Sequence, residues 1–348
     1  MTWYLSHITP YPFYEEQPDL LLAGGVPQVT QVTRFPPEEP LLALYEQYGM
    51  NQQEHTFLKQ VPWELKARPV PVSRAESAAH MGAEALRALL ENAPEAREKC
   101  RYLVYGHETT EPNFYLTPCL YVKKTLKLKR LLPFALSRCG SCTLPGTLEL
   151  VKMLHPSAPG QAAAESLFVT ADRLCPPHPR YWFDADPKGD AAAACLLSTA
   201  GGDWAVVDAV ADGWPLASDD PYRWSEADYR RHERRLLAGC RQAVSVLLRR
   251  NAADAGRIVL AVPQTLSSTF RRYVERLLPY PVYRRTYAAG CNLLGSDCLL
   301  SLKEAADGHS FQPGDCVLLL QAGPLSHLGL LLLRKTNKYG ETNGGYAK

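Results

Sequence analysis

Patterns of buried strands and amphipathic helices alternate along this chain, and the alternation begins again after residue 201, which limits the fold more than any other feature. The first series has strand patterns at 102–105, 131–137, 166–170 and 191–197, and helix patterns at 73–91, 118–126 and 145–154. The second series has strand patterns at 205–211, 258–262, 316–321 and 328–333, and helix patterns at 225–251, 267–278 and 293–306. This repeat predicts a duplicated α/β fold, with halves at residues 1–200 and 201–348.

The ends of these elements carry local signals. The first seventy or so residues are Pro-rich and irregular, with short strand patterns at 3–8 and 28–33. Ser73 or Ser77 is the expected cap of the first strong helix, and Ser225 with Asp228 has the spacing of a capping box. Pro145 is tolerated only in a first helical turn, so a helix is expected to begin close to it.

Composition excludes several classes of protein. The 348 residues carry a net charge of +2, which does not favour a nucleic-acid partner. No secretory signal is recognised, and no apolar run approaches the roughly 20 residues of a membrane span. Ten scattered cysteines show no disulfide framework, so a reduced, cytoplasmic protein is expected. One basic cluster is either a solvated helix face or a docking patch for an anion: Lys123, Lys124, Lys127, Lys129 and Arg130.

The segment Cys-Gly-Ser-Cys at 139–142 stands between a strand pattern and a helix pattern. Cys139 and Cys142 form a C-x-x-C, which is typical of redox pairs and of half of a zinc site. No second pair of cysteines or histidines at comparable spacing completes a zinc site, so a zinc site is not favoured. A redox pair is favoured still less. A cysteine at the start of a helix is a better candidate for a nucleophile, because the free N–H groups there stabilise a thiolate and an oxyanion.

Five stretches resemble the thiolase superfamily, and within it the ketoacyl-synthase III enzymes. They are residues 126–142 with the nucleophile turn, Gly189-Asp190-Ala191 before an apolar strand, Val262-Pro263-Gln264, Cys291-Asn292 with the helix after it, and Pro313-Gly314-Asp315 before two apolar strands. The resemblance implies a five-layered αβαβα duplication and a dimer. It also implies a cysteine that accepts an acyl group from coenzyme A or an acyl carrier protein, assisted by a histidine and an asparagine, with no permanently bound cofactor.

The family's nucleophile position aligns with residues 139–142, but the alignment does not decide which of these residues it matches. Counting along the strand places it on Gly140, and counting back along the helix from Leu148 places it on Ser141. Cys142 is the preferred thiol, because small residues precede it and Pro145 then lies in the first turn of the helix. Cys139 remains the alternative, and so does the absence of any nucleophile, since free cysteines are often merely buried.

The other functional positions depart from the family pattern. Gln264 stands where the family has histidine, and an amide cannot transfer a proton near neutral pH. Asn292 matches the family's asparagine, although asparagine is also an ordinary helix cap. His107 and His327 are conceivable substitutes for the missing imidazole. Pro324 lies in the turn whose backbone N–H completes the family's oxyanion site, and proline has no N–H.

Two functions follow from the resemblance. The first is an acyltransferase or divergent condensing enzyme that forms an acyl-cysteine on Cys142, with Asn292 and Gln264 polarising the carbonyl group, in the biosynthesis of specialised metabolites or lipids. Transfer tolerates the loss of histidine better than decarboxylative condensation does, because no enolate forms. The second is a non-catalytic subunit that pairs with an active ketosynthase. A thiol-based redox or metal protein is the third and weakest alternative.

Overall fold

Nine strands and six helices of at least eight residues organise the part of the chain that the computed structural model describes. The described residues are 2–11, 70–73, 75, 77–111, 115–137, 139, 141–155, 163–174, 180, 182–213, 224–323 and 327–337. The strands are β1 (Tyr4–Pro10), β2 (Tyr102–His107), β3 (Leu132–Ser137), β4 (Glu165–Asp172), β5 (Ala191–Ser198), β6 (Trp204–Gly213), β7 (Ile258–Pro263), β8 (Cys316–Gly323) and β9 (His327–Lys335). The helices are α1 (Ala78–Asn92), α2 (Pro118–Thr125), α3 (Thr143–Leu154), α4 (Glu226–Arg250), α5 (Ser268–Leu277) and α6 (Asp297–Gly308).

Strand order shows the duplication directly. The sheet runs β3-β2-β4-β5-β1-β6-β9-β8-β7, and β1 meets β6 through only two residue pairs. In each half two neighbouring strands are parallel, and the next two pairings are antiparallel: β2–β4, β4–β5 and β5–β1 in the first, β7–β8, β8–β9 and β9–β6 in the second. The counterpart of β3 is reduced to a parallel bridge between Ala261 and Val282. The predicted duplicated α/β fold is confirmed, whereas the division at residues 200 and 201 remains a prediction.

Three hydrophobic clusters separate the layers. One outer cluster places α1 and α2 against the first-half strands, and the other places α4 and α5 against β7, β8 and β9. The third cluster lies between them and contains the apolar faces of α3 and α6. Along β8 the side chains alternate between two clusters: Val317 and Leu319 belong to the central one, and Leu318 and Leu320 to the outer one. The central helices are therefore covered by sheet on both sides, as the five-layered arrangement requires.

Local signals explain most helix boundaries. Ser77 rather than Ser73 caps α1, since its hydroxyl accepts a hydrogen bond from the amide of His80 at 3.1 Å. Ser225 and Asp228 form the predicted capping box at the start of α4. α3 begins at Thr143, two residues earlier than predicted, so Pro145 is its third residue and still lies in the first turn. The predicted strand at 3–8 corresponds to β1, and the one at 28–33 lies outside the described residues.

Close packing of α3 on the second half depends on Gly329 of β9. A Cβ atom at this position would lie 2.5 Å from Cγ of Pro145 and 3.3 Å from Cβ of Cys142. No such side chain fits unless the start of α3 moves away from the strand. The absence of a side chain at residue 329 thus fixes how the nucleophile turn approaches the β8–β9 hairpin.

We expect Gly329→Ala to lower the free energy of unfolding by about 1–3 kcal/mol, because the added methyl group overlaps the ring of Pro145. Urea unfolding measures this change. Gly256→Ala is the matched control, since a Cβ atom there meets nothing within 4 Å and its backbone is already right-handed helical. Equal stability of the two variants would contradict the close approach at Gly329.

Candidate active site

The nucleophile turn connects β3 to the central helix α3. Cys142 is the N-cap residue of α3, and its amide donates to the carbonyl oxygen of Cys139 at 2.9 Å. Its thiol is buried and donates to the backbone oxygen of Gln321 on β8 at 3.6 Å. Cys139 is half-buried and donates to the carbonyl oxygen of Ser137. The two thiols therefore face different surroundings, and only that of Cys142 reaches the second half of the molecule.

Ser141 has the most unusual backbone in this turn. Its φ of +68° lies in the left-handed region that side chains other than glycine rarely adopt. The residue is completely buried, and its hydroxyl forms no hydrogen bond. A strained backbone and an unsatisfied polar group together are typical of functional turns. Sequence reasoning found this position only as one possible register of the family's nucleophile.

A second turn brings the start of α6 to the same place. A 3₁₀ turn at Leu294–Ser296 precedes α6, and a Cβ atom on Gly295 would lie 2.4 Å from Oγ1 of Thr170 and 3.1 Å from Oγ1 of Thr143. Thr143 is the first residue of α3. The N-termini of the two central helices therefore meet in the interior, and both direct the positive ends of their dipoles there.

Gln264 and Asn292 lie side by side next to this junction, as the resemblance implies. Nε2 of Gln264 donates to Oδ1 of Asn292 at 2.8 Å and to the backbone oxygen of Leu294 at 2.9 Å. Oδ1 of Asn292 also accepts from the amide of Leu294, so this side chain both shapes the turn and faces the site. The thiol of Cys298 donates to Oε1 of Gln264 at 3.7 Å. The amide pair is thus held in one orientation.

Asp172, at the end of β4, ties these segments together. Its Oδ1 accepts from the amides of Glu108 and Thr109 at 2.7 and 2.9 Å, and its Oδ2 accepts from the amide of Gly295 at 3.3 Å. The carboxyl group is fully buried, and burial raises its pKa. Glu108 follows β2, whose last residue, His107, pairs with Ser137 at the end of β3. Asp172 therefore positions Glu108 beside the nucleophile turn and next to the start of α6.

Electrostatics at the turn do not favour a free thiolate. Burial raises the pKa of the Cys142 thiol well above its usual value, and the charge of Glu108 raises it further. Burial and Glu108 raise the pKa of Cys139 to about 11. The N-terminus of α3 acts in the opposite direction on Cys142 by stabilising negative charge. Burial therefore favours the neutral form of the Cys142 thiol.

A small, partly enclosed cleft of about 20 Å³ lies beside Asn292 on the side of α4 and α5. Its walls include Trp182, Tyr229 and Phe270, and Lys188 lies in it with Nζ 4.6 Å from the centre of the Trp182 ring. Burial lowers the pKa of Lys188 to about 8, against the opposing effect of Glu108. Half of the residues that line the cleft are polar or charged, and its volume is that of about one water molecule.

The segment before β5 supports the site rather than lining it with catalytic groups. Gly189 donates to the backbone oxygen of Asn292 at 2.9 Å, and a Cβ atom on it would lie 2.6 Å from Pro71. Asp190 is buried, forms an ion pair with Arg180 and accepts hydrogen bonds from the amides of Ser73 and Leu174. The family-like Gly189-Asp190-Ala191 motif therefore fixes the backbone around Asn292.

The other candidates from the sequence are His107, His327 and Pro324. His107 bonds to the carbonyl oxygen of Thr109 at 2.8 Å. His327 begins β9 opposite Gly323, and its Nδ1 is buried without a hydrogen bond. Pro324 lies outside the described residues. Among the described residues, no group of three or more His, Cys, Asp or Glu side chains is placed to hold a metal ion, and all their cysteines are free thiols. None of their helices is long and apolar enough to cross a membrane.

Sequence reasoning missed a second basic surface, in addition to the cluster at 123–130. Four exposed arginines surround Leu237 and Tyr273 on α4 and α5, the two helices that also line the cleft: Arg234, Arg241, Arg272 and Arg276. None of the four forms an ion pair with a described residue. The available signal was the spacing of the arginines along each helix. Arg234 and Arg241 are seven residues apart on α4, and Arg272 and Arg276 are four residues apart on α5. We call these four residues the arginine surface.

Solved structures share this fold over nearly the whole chain. The acyltransferase ChlB3 is 16% identical over 97% of this chain and 98% of its own, with a TM-score of 0.68. The 3-oxoacyl-(acyl carrier protein) synthase III FabH of Pseudomonas aeruginosa PAO1 is 17% identical over 98% and 100%, with a TM-score of 0.67. AbyA1, a tetronic acid condensing enzyme, is 16% identical over 95% and 99%, with a TM-score of 0.65. The predicted resemblance to the ketoacyl-synthase III type of thiolase fold is confirmed at the level of the fold.

No protein-family model matches the chain, and no curated protein matches it. The structural likeness is therefore carried by geometry at low sequence identity, and it establishes the fold alone. The roles of individual side chains depend on the contacts described above.

We expect iodoacetamide to label Cys139 before Cys142 in the native protein, because Cys139 is half-buried whereas Cys142 is enclosed. Raising the pH by one unit is expected to speed the labelling of Cys139 about tenfold, since its thiolate fraction rises in proportion below its pKa. Peptide mass spectrometry resolves the two sites. Faster labelling of Cys142 would show that the turn is more open, or its thiol more acidic, than described.

Proposed function

We propose that the chain is an acyltransferase or divergent condensing enzyme of the ketoacyl-synthase III type, which takes an acyl group from a coenzyme A or carrier-protein thioester onto Cys142. The observation that carries the proposal is the position of this thiol. It lies at the N-terminus of α3, where the start of α6 also arrives, and next to the paired amides of Gln264 and Asn292. Helix N-termini and amide donors stabilise the oxyanion of acyl transfer.

The amide pair supports transfer in preference to decarboxylative condensation. Oδ1 of Asn292 is occupied by two donors, so its Nδ2 is the atom left to donate to a thioester carbonyl. Gln264 can orient Asn292 but cannot exchange protons near neutral pH. Transfer of an acyl group to an alcohol, amine or thiol forms no enolate and therefore does not require an imidazole at this position.

The arginine surface supports an anionic carrier for the acyl group. Coenzyme A and the phosphopantetheine arm of a carrier protein both bear phosphate, and carrier proteins are generally acidic. Exposed arginines attract such groups at long range and bind phosphate oxygens at contact. The arginine surface lies on the same two helices, α4 and α5, that line the small cleft beside Asn292.

A dimer and a biosynthetic role complete the proposal. Within the described residues β3 pairs with β2 alone, and Leu132 at its start is 50% exposed, so a second thiolase-fold chain has an open edge with which to pair.

The similar AbyA1 condensing enzyme, and a priming ketosynthase of a polyketide pathway with the same fold, are consistent with a role in specialised metabolism. Lipid assembly in the cytoplasm remains part of the same proposal.

A non-catalytic partner subunit is the second candidate. It is favoured by the amide at Gln264 and by the burial that raises the pKa of Cys142. A chain of this kind would retain the fold and the dimer edge and would accept no acyl group. Covalent loading separates the two functions, because only the first requires an acyl-enzyme.

Incubation of the purified chain with a panel of acyl-CoA and acyl carrier protein thioesters is expected to give a mass increase equal to the acyl group, measured on the intact protein. The adduct should disappear in Cys142→Ala, since the thioester bond forms on that sulfur. Cys139→Ala and Ser141→Ala are the matched variants and should still load. An adduct that depends on either of these residues would move the nucleophile, and no adduct with any donor would favour the partner subunit.

Replacing Arg272 and Arg276 together by Glu is expected to slow loading from an acyl carrier protein about tenfold or more at low salt, because two attractive charges become repulsive. The loss should shrink as the salt concentration rises. Loading is followed by intact mass at several carrier concentrations. Exchange of Lys123 and Lys124 for Glu on α2 is the matched control, and a larger effect there would place the carrier on the first half instead.

A further inference from the structure

Gln321 carries a buried, unsatisfied amide. The residue is completely buried near the end of β8, and neither Nε2 nor Oε1 of its side chain forms a hydrogen bond. A buried amide without partners costs about 1–3 kcal/mol relative to a satisfied one. Such groups are rare in folded proteins, and each calls for a ligand, a water molecule or a catalytic role.

The side chain of Gln321 faces the central layer, where α3 and α6 lie. Alternation along β8 places it on the same side as Val317 and Leu319, which belong to the central cluster. Across the sheet it pairs with Gly329, on the same face. Because Gly329 has no side chain, Pro145 and Cys142 at the start of α3 pack against this face beside Gln321.

Cys142 lies close to Gly329 on this face. The position that a Cβ atom of Gly329 would take lies 3.3 Å from Cβ of Cys142. Paired residues in antiparallel strands have Cβ atoms about 4.5–5.5 Å apart, so the side chain of Gln321 begins within one side-chain length of Cys142. The backbone oxygen of Gln321 is already 3.6 Å from the Cys142 sulfur. The unsatisfied amide and the proposed nucleophile are therefore immediate neighbours.

We propose that Nε2 of Gln321 donates a hydrogen bond to the carbonyl oxygen of the acyl group on Cys142 and to the oxyanion that forms during its transfer. This inference rests on the proposed acyl transfer. When the sulfur attacks the donor thioester, a C–S bond forms and the carbonyl π electrons move to oxygen. The oxyanion then collapses, the bond to the donor sulfur breaks, and the thiol proton leaves with that sulfur. The amide gives the oxyanion a donor that needs no reorganisation.

Gln321 would act beside Nδ2 of Asn292, because Gln264 cannot supply this donor. Nε2 of Gln264 is already bonded to Asn292 and to Leu294, so it is not available to a carbonyl group. A side-chain donor on β8 would also explain how oxyanion chemistry proceeds although the sequence places Pro324 in the hairpin turn beyond it.

Gln321→Leu separates this role from a structural one. Leucine has a similar volume and no polar atoms, so removing an unsatisfied amide is expected to leave the urea midpoint equal or raise it. The same variant should load the acyl group about 100-fold more slowly at saturating donor, with the half-saturating donor concentration little changed. Leu319→Met, on the same face of β8, is the matched control and should alter neither quantity.

A spectroscopic measurement tests the hydrogen bond itself. Loading with a donor labelled with ¹³C at the carbonyl group allows isotope-edited infrared spectra of the acyl-enzyme, and loss of a hydrogen bond in Gln321→Leu is expected to move the carbonyl band to higher frequency. An unmoved band, an undiminished loading rate or a lower urea midpoint would each overturn the role of Gln321 while wild-type loading stands. If the wild type loads no acyl group from any donor, the acyl-transfer proposal falls and this inference falls with it.

Discussion

The buried carboxyl group of Asp172 is the constraint on which the candidate site depends. It binds backbone amides that follow β2 and the amide of Gly295 before α6, and so joins two segments that are far apart in sequence. Gly295 can approach only because it lacks a side chain, since a Cβ atom would lie 2.4 Å from Oγ1 of Thr170. These hydrogen bonds hold the segment before α6 against the end of β2, next to the start of α3.

Polar groups around the junction fall into two kinds. Gln264, Asn292 and Asp172 are bonded to fixed partners, which sets the shape of the site. Ser141 and Gln321 are equally buried and have unsatisfied side chains. The first kind stabilises the fold, whereas the second lowers its stability in the absence of a ligand. Selection for stability alone would have replaced the second kind with apolar residues.

Sequence periodicity predicted the fold well, because the strand and helix patterns of a duplicated α/β chain each span many residues. No single residue decides such a pattern. Gln264 and Asn292 were predicted from the resemblance to the ketoacyl-synthase III enzymes, which left the nucleophile open between Cys142 and Cys139. Asp172 and Gln321 were not predicted, since in sequence each is one polar residue at or near the end of an apolar strand. The roles of these two residues depend on their cross-strand partners and on their burial, and both are defined only in the folded sheet. The arginine surface was missed for a related reason, because it is shared between α4 and α5.

The unsatisfied groups also bear on the choice between an enzyme and an inactive partner. A subunit that serves only to pair would be free to lose the buried amide of Gln321, the strained backbone of Ser141 and the neutral thiol of Cys142, since none of them lies at the open edge of β3. All three are instead present within one turn and the strand beside it. The loss of histidine at residue 264 removes a proton carrier but leaves hydrogen-bond donors and a nucleophile in place. The balance of these features favours acyl transfer without an imidazole.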